Sequence, residues 1–180
     1  MAREVAVLGG GCFWCLEAVF LRVRGVESVR SGYCGGDPAS ANYREVCSGR
    51  TRHAEVVEIV FDPTLVTFSD LLDVFFVIHD PTTRDRQGAD VGPQYRSVVF
   101  ARTAEQADAA RSAVSVRESS RTFGAPIVTE VVDPPGPLFH VAEAYHQDYF
   151  ALNPMQPYCR AVVDPKVRKF LTTFPDRAVR

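Results

Sequence analysis

The chain predicts an α/β fold, α+β and plait-like, in which one mixed β-sheet is flanked by helices and served by long loops. Three observations carry that expectation. Short β-branched apolar runs alternate with segments of helical periodicity, the pattern of a layered sheet-and-helix domain. Two long stretches rich in Gly, Pro, Ser, Asn and Asp interrupt them, which marks loops with work of their own. The 180 residues, 46% apolar and 23% charged, contain no repeat, heptad or linker, so residues 1–180 read as one domain with one sizeable core.

The elements follow in order. Residues 5–8 read as a short buried strand, followed by Gly9, Gly10 and Gly11. A helix is expected from Phe13 to about Val23, because Leu16, Val19, Phe20 and Val23 repeat at the spacing of one helical face, and Gly25 ends it. Residues 26–33 form a strand and 34–51 a surface loop. Residues 55–61, strongly β-branched, form the next strand, and 68–78 a helix capped by Thr67 or Ser69. The second polar loop runs over 80–94. A strand at 97–101 leads through Thr103 and Gln106, a capping box, into a helix reaching about Glu118. A strand at 127–132, a helix at about 141–152 and a last helix near 165–173 complete the chain.

Composition narrows the classes of function. A net charge of −2 and a pI near 6.1 give no basic field for nucleic acid or an anionic membrane. No apolar run approaches the roughly 20 residues that span a bilayer. The start, Met-Ala-Arg-Glu, does not resemble a signal peptide, so a cytoplasmic chain is expected. Five cysteines, at 12, 15, 34, 47 and 159, suit transient catalytic disulfides or buried inert thiols better than a structural disulfide framework.

Chemistry concentrates at Gly11-Cys12-Phe13-Trp14-Cys15. A thiol at the start of a helix meets unpaired N–H groups and the positive end of the dipole, which favour the thiolate nucleophile. Phe13 and Trp14 set apolar surface beside it. Cys12 and Cys15 form a C-x-x-C, open to a redox dithiol, half of a zinc site or two buried thiols; no second ligand pair supports zinc, and no metal is expected. Period 2 puts His53 and Glu55 on one strand face, where burial would make Glu55 a general acid; the alternative is a surface ion-pair carboxylate. Tyr43, Tyr95 and Asp90 lie in the two long loops, as oxygen-binding groups or as ordinary loop packing.

These blocks, taken in order, resemble peptide methionine sulfoxide reductases of type A. The matching runs are Gly10-Gly-Cys-Phe-Trp14, Gly32-Tyr33 with Gly35-Gly36, Tyr43-Arg-Glu-Val-Cys-Ser-Gly49, His53-Ala-Glu55, His79-Asp-Pro-Thr82, Arg86-Gln-Gly88, Tyr95-Arg-Ser97 and Tyr145-His-Gln-Asp-Tyr149. The resemblance implies reduction of the S-epimer of methionine sulfoxide, free or in oxidised proteins. It implies Cys12 as nucleophile and Glu55 as the acid for the departing oxygen, with Tyr43 and Tyr95 as its hydrogen-bonding partners. Phe13 and Trp14 would receive the substrate methyl group, with Asp90 also at the site. Cys12 would end as sulfenic acid, a resolving thiol would form a disulfide, and thioredoxin or dithiothreitol would reduce it without any bound cofactor.

Both Cys15, where many relatives carry Gly, and Cys159, in a C-terminal segment (153–180) expected to move, match resolving roles. The pair could also relay the disulfide outward. Arg52, Pro93, Ala89 and the run Thr83-Arg-Asp85 depart from the family pattern. A monomer is expected, with no nucleic-acid or membrane partner. A general dithiol–disulfide oxidoreductase using the C-x-x-C, and a redox-sensing interaction module, are the alternatives.

Overall fold

In the computed structural model, which describes residues 3–179, the strands are β1 (Glu4–Gly9), β2 (Val26–Cys34), β3 (Ala54–Phe61), β4 (Arg86–Gln87), β5 (Asp90–Val91), β6 (Val98–Phe100), β7 (Glu130–Val132) and β8 (Phe139–Val141). The helices are α1 (Phe13–Phe20), α2 (Tyr43–Cys47), α3 (Phe68–Ile78), α4 (Ala104–Ser119), α5 (Tyr149–Leu152) and α6 (Asp164–Thr173). Six strands make one sheet in the order β7-β6-β1-β3-β2-β8, while β4 and β5 pair separately. Only β6 and β7 are parallel, so the sheet is mixed, as the sequence predicts. No described helix is long and apolar enough to cross a membrane.

Period-2 alternation splits the sheet into two apolar faces. Ala6, Leu8, Val29, Tyr33, Val57, Ile59 and Phe61 face the helices and join the main core with α1, α3 and α6. Val7, Cys34, Ala54, Val56, Val98 and Phe100 form a smaller cluster on the opposite face. Val5, Val132 and Phe139 pack against that cluster, and the Pro137 carbonyl, which accepts from Arg102 Nη1 at 2.8 Å, lies beside Cys34. Helix α1 buries residues on all sides, as an interior helix must when it lies against both sheet and helices. Helix α3 starts at a full capping box: Asp70 N–H donates to Thr67 Oγ1 at 3.1 Å and Thr67 N–H to Asp70 Oδ2 at 2.9 Å.

Four expectations need correction. Helix α1 stops at Phe20 because its end tightens into i→i+3 bonds (Arg22 to Val19, Val23 to Phe20) and Val23 then bridges to Ala178. The 34–51 loop contains α2, capped by the Asn42 side chain, and Cys34 is buried in β2. The strand at 127–132 shrinks to β7, since the Ile127 and Val128 N–H groups go to Glu118 and Pro81 instead of a ladder. The helix at 141–152 is instead the end of β8, a 3₁₀ turn at Ala144–His146 and α5, interrupted where Asp148 takes φ 52°.

The C-terminal segment is docked in this structure. Phe170 and Val163 are fully buried, and Val179 N–H donates to the Arg22 carbonyl at 2.9 Å.

Candidate active site

Gly11 sets the turn into α1. Its φ is +95°, and a Cβ there would lie 2.6 Å from Gln87 Cγ, so only glycine fits both the angle and the space. Gln87 is pinned in turn, accepting the Asp80 N–H at 3.0 Å and donating to the Asp80 carbonyl at 2.9 Å. The second long loop therefore packs directly against the residue before Cys12. Cys12 follows as the N-cap of α1, with extended backbone and 8% exposure.

Glu55 comes to the same place from the sheet. On β3 it pairs with Tyr33 of β2 and faces the helix side, and its Oε2 accepts the Phe13 N–H at 3.1 Å. One of the unpaired N–H groups at the start of α1 is thus spent on a carboxyl group from a central strand. Burial, opposed by that hydrogen bond, pushes the Glu55 pKa up to about 8. The carboxyl group keeps its proton at neutral pH, and the surface ion-pair alternative falls away.

Cys12 corrects the expectation of a resting thiolate. Burial raises its pKa well above the ordinary thiol value, and contact with Cys15 and the nearby Glu55 add to the rise. The Trp14 N–H opposes this, yet a helix terminus supplies only about 0.3–1 kcal/mol at exposed sites, less than full desolvation costs an anion. Cys15 moves the other way. The hydrogen bond from Cys12 lowers its pKa most, against burial, with help from Lys166 and the Tyr158 hydroxyl. The pair thus holds its proton more firmly on Cys12 than on Cys15.

The two loops converge on this pair. Tyr43 and Tyr95 both hold their phenolic protons tightly, through burial first, and both feel Glu55 and Cys12. Asp90 Oδ2 accepts the Tyr158 hydroxyl at 2.5 Å, and its charge reaches Glu55 and Cys15. Phe13 is buried between Tyr33 and His146, with centroids at 5.7 and 4.9 Å. Trp14 is only partly buried; it stacks on Tyr149 at 3.7 Å and 4° and meets the edge of Tyr158. Of the two aromatic residues expected at the pocket, Trp14 presents the more accessible ring.

Sequence reasoning gave no role to Glu143, His146, Tyr149 or Tyr158. Glu143 accepts the Tyr33 hydroxyl and the Tyr43 N–H, each at 2.8 Å. The block Tyr145-His-Gln-Asp-Tyr149 was the available signal. His53, expected on the same strand face as Glu55, secures the loop after β2, accepting the Gly36 N–H and bonding the Asp37 carbonyl.

The remaining cysteines differ in kind. Cys159 is fully buried in a π-helical turn (Cys159–Val163) that runs into α6; burial, and then the influence of Cys15, raise its pKa. Cys34 is buried, its pKa raised to about 11 by burial, with its thiol toward the Pro137 carbonyl at 3.5 Å. Cys47 is exposed and lies against the Tyr43 phenol. No group of three or more metal-ligating side chains occurs among the described residues. Of the departures, Asp85 holds a left-handed φ of 49°, a conformation that Asp tolerates better than most residues, and Pro93 opens the 3₁₀ turn carrying Tyr95.

A cysteine sulfur at a helix start beside a carboxyl group that keeps its proton suits a cysteine-dependent oxidoreductase. Comparisons narrow that class. The family profile described as peptide methionine sulfoxide reductase matches residues 4–178. Peptide methionine sulfoxide reductase MsrA of Sulfolobus acidocaldarius is 52% identical over 175 residues, covering 97% of each chain. That of Ralstonia nicotianae is 53% identical over 178 residues, covering 98% of this chain and 93% of its own. Among solved structures, methionine sulfoxide reductase A of Corynebacterium diphtheriae superposes with a TM-score of 0.78 at 37% identity, covering 85% of this chain and 76% of the other. Reduced Mxr1 from Saccharomyces cerevisiae gives 0.77 at 33% identity, covering 87% and 89%. The chain belongs to the peptide methionine sulfoxide reductase family, and it is an enzyme that reduces methionine sulfoxide through a catalytic cysteine.

Proposed function

We propose that the chain reduces the S-epimer of methionine sulfoxide, free or within proteins, with Cys12 as nucleophile and Glu55 as general acid. The observation that carries this reading is the protonated Glu55 carboxyl, bonded to the N–H of the residue immediately after Cys12. Cys12 sulfur attacks the sulfoxide sulfur while Glu55 donates a proton to the departing oxygen, which Tyr43 and Tyr95 hold by hydrogen bonds. The proton lost by the Cys12 thiol replaces the one Glu55 gave. The protonated oxygen then passes to the Cys12 sulfur as the bond between the two sulfurs breaks, leaving methionine and a Cys12 sulfenic acid, so substrate sulfur is reduced and Cys12 sulfur oxidised. Trp14, with Phe13 behind it, forms the apolar wall for the substrate methyl group.

Cys15, in contact with Cys12, then displaces water from the sulfenic acid to give a Cys12–Cys15 disulfide. Cys159, which neighbours Cys15, takes over the bond to Cys15 and releases Cys12. An external dithiol, thioredoxin in the cell or dithiothreitol in vitro, reduces the Cys15–Cys159 disulfide and is itself oxidised. The hydrogen bond between Cys12 and Cys15, and the electrostatic influence of Cys15 on Cys159, support this relay. It requires the docked 153–180 segment to loosen, because Cys159 is fully buried.

Separate assays of the two sulfoxide epimers with dithiothreitol test the proposal. The S-epimer is consumed and the R-epimer is not; turnover retained in Cys12→Ser would reject the nucleophile. A general dithiol–disulfide oxidoreductase, favoured by the Cys12–Cys15 contact alone, would reduce insulin disulfides equally well after Glu55→Gln.

A further inference from the structure

We propose that His146 is a positioning residue for substrate binding, fixing the Trp14 ring by accepting its indole N–H; this rests on the reading of Trp14 as the wall of the methyl pocket. Trp14 Nε1 lies 3.2 Å from His146 Nδ1. An indole nitrogen only donates, so Nδ1 must be the bare nitrogen and the proton of the neutral ring must sit on Nε2. Burial favours that neutral ring, lowering its pKa. The imidazole is 1% exposed and wedged among Phe13, Tyr43 and Tyr145, with centroids at 4.9, 4.7 and 4.2 Å. It has no room to turn over and exchange its nitrogens.

The other end of the ring completes the argument. Nε2 is a buried polar atom with no hydrogen-bond partner among the described residues, and Glu143 Oε2 lies 3.8 Å away, beyond hydrogen-bond reach. Glu143 already accepts the Tyr33 hydroxyl and the Tyr43 N–H. An unpaired buried donor costs about 1–3 kcal/mol, so the ring is not there for stability alone. His146 instead lies between the residue proposed to hold the methyl group and the segment that carries Tyr43, proposed to hold the oxygen. With Tyr149 stacked on one face of the indole and His146 bonded at its edge, the Trp14 plane is fixed before substrate arrives. Prepaying that orientation lowers the cost of binding.

The chain has a single tryptophan, so one indole N–H resonance reports this bond directly. In the unmodified protein, ¹⁵N shifts of the His146 ring should show the proton on Nε2; a proton on Nδ1 overturns the proposal without any variant. In His146→Phe the indole resonance should move upfield and lose protection from exchange. KM for free methionine sulfoxide should rise about three- to tenfold, the worth of one such hydrogen bond, with kcat falling less. His146→Gln, whose side-chain oxygen can accept the same N–H, should recover both signals. An unchanged resonance and KM in His146→Phe, or a Gln variant that behaves like the Phe variant, overturns the inference. Absence of sulfoxide turnover in the parent chain would instead sink the functional reading, while the ring tautomer and indole resonance still decide the hydrogen bond.

Discussion

Phe13 and Glu55, 42 residues apart, are joined by a 3.1 Å hydrogen bond from the backbone N–H of one to the carboxyl group of the other. The bond ties the first turn of α1 to strand β3 and places a protonated carboxyl group next to Cys12. The same burial that keeps the acid protonated makes it costly to the fold. In the unfolded chain Glu55 loses its proton near its ordinary value of 4.5, in the folded chain only near 8. The folded state holds the extra proton across that window, so its stability falls as pH rises from 4.5 toward 8.

Glu55→Gln should therefore uncouple activity from stability. Sulfoxide reduction should drop about 10²–10⁴-fold, the usual share of a general acid. At pH 7 the variant should be more stable by on the order of 1–3 kcal/mol, because no buried group is pressed to ionise. Steady-state rates and urea midpoints on the same sample check both. A variant as active as its parent would remove Glu55 from the mechanism.

The pH profile should carry the same signature. The useful form of Glu55 is the protonated one, so the single-turnover rate of methionine formation should decline as pH rises through about 8. In Glu55→Gln that alkaline limb should vanish from the residual rate. Stopped-flow measurements over pH 6 to 10, with fold checked at each end, separate this from alkaline unfolding.

The legible parts of this molecule are those whose cause is local. The cap at Thr67, one of two residues the sequence offers there, the partial alternation through β3 and the glycine turn before α1 are dictated by residues a few positions apart, and each is legible. Strand β8 was not, because Phe139 and Val141 gain their conformation from β2, more than 100 residues earlier. Within the site, Cys12 and Glu55 were visible as types in a pattern. The ionisation of Cys12 was not, since it depends on how many atoms bury the sulfur, a quantity no spacing contains. His146 was hidden for a related reason: its role is set by a donor on α1 and an aromatic cage drawn from three segments.

Blocking each thiol of the proposed relay should trap a different species after one equivalent of substrate. In Cys15→Ser, Cys12 has lost its contacting thiol, and a sulfenic acid should persist long enough to react with a dimedone-type probe. In Cys159→Ser the Cys12–Cys15 disulfide should form and accumulate. In the parent chain, peptide mapping should find Cys15–Cys159. A Cys12–Cys159 link in the parent would show that the buried turn opens to Cys12 itself and would replace the relay with a single step.

Gly32→Ala should test whether β8 supports the site. A Cβ at Gly32 would lie 2.3 Å from Phe139 Cε2 and 2.4 Å from the His140 carbonyl oxygen. The aromatic ring could turn aside, but the backbone oxygen belongs to the ladder in which Gly32 pairs with Val141. The added methyl group must push β8 away from β2, costing about 1–3 kcal/mol as overpacking does. Glu143 and His146 follow β8 within five residues, so the displacement reaches the acceptor of the Tyr43 N–H and the partner of the Trp14 indole. The urea midpoint should fall, and kcat/KM should fall further than the folded fraction explains. A destabilised variant that keeps full kcat/KM would show that the sheet edge supports the fold without positioning the substrate.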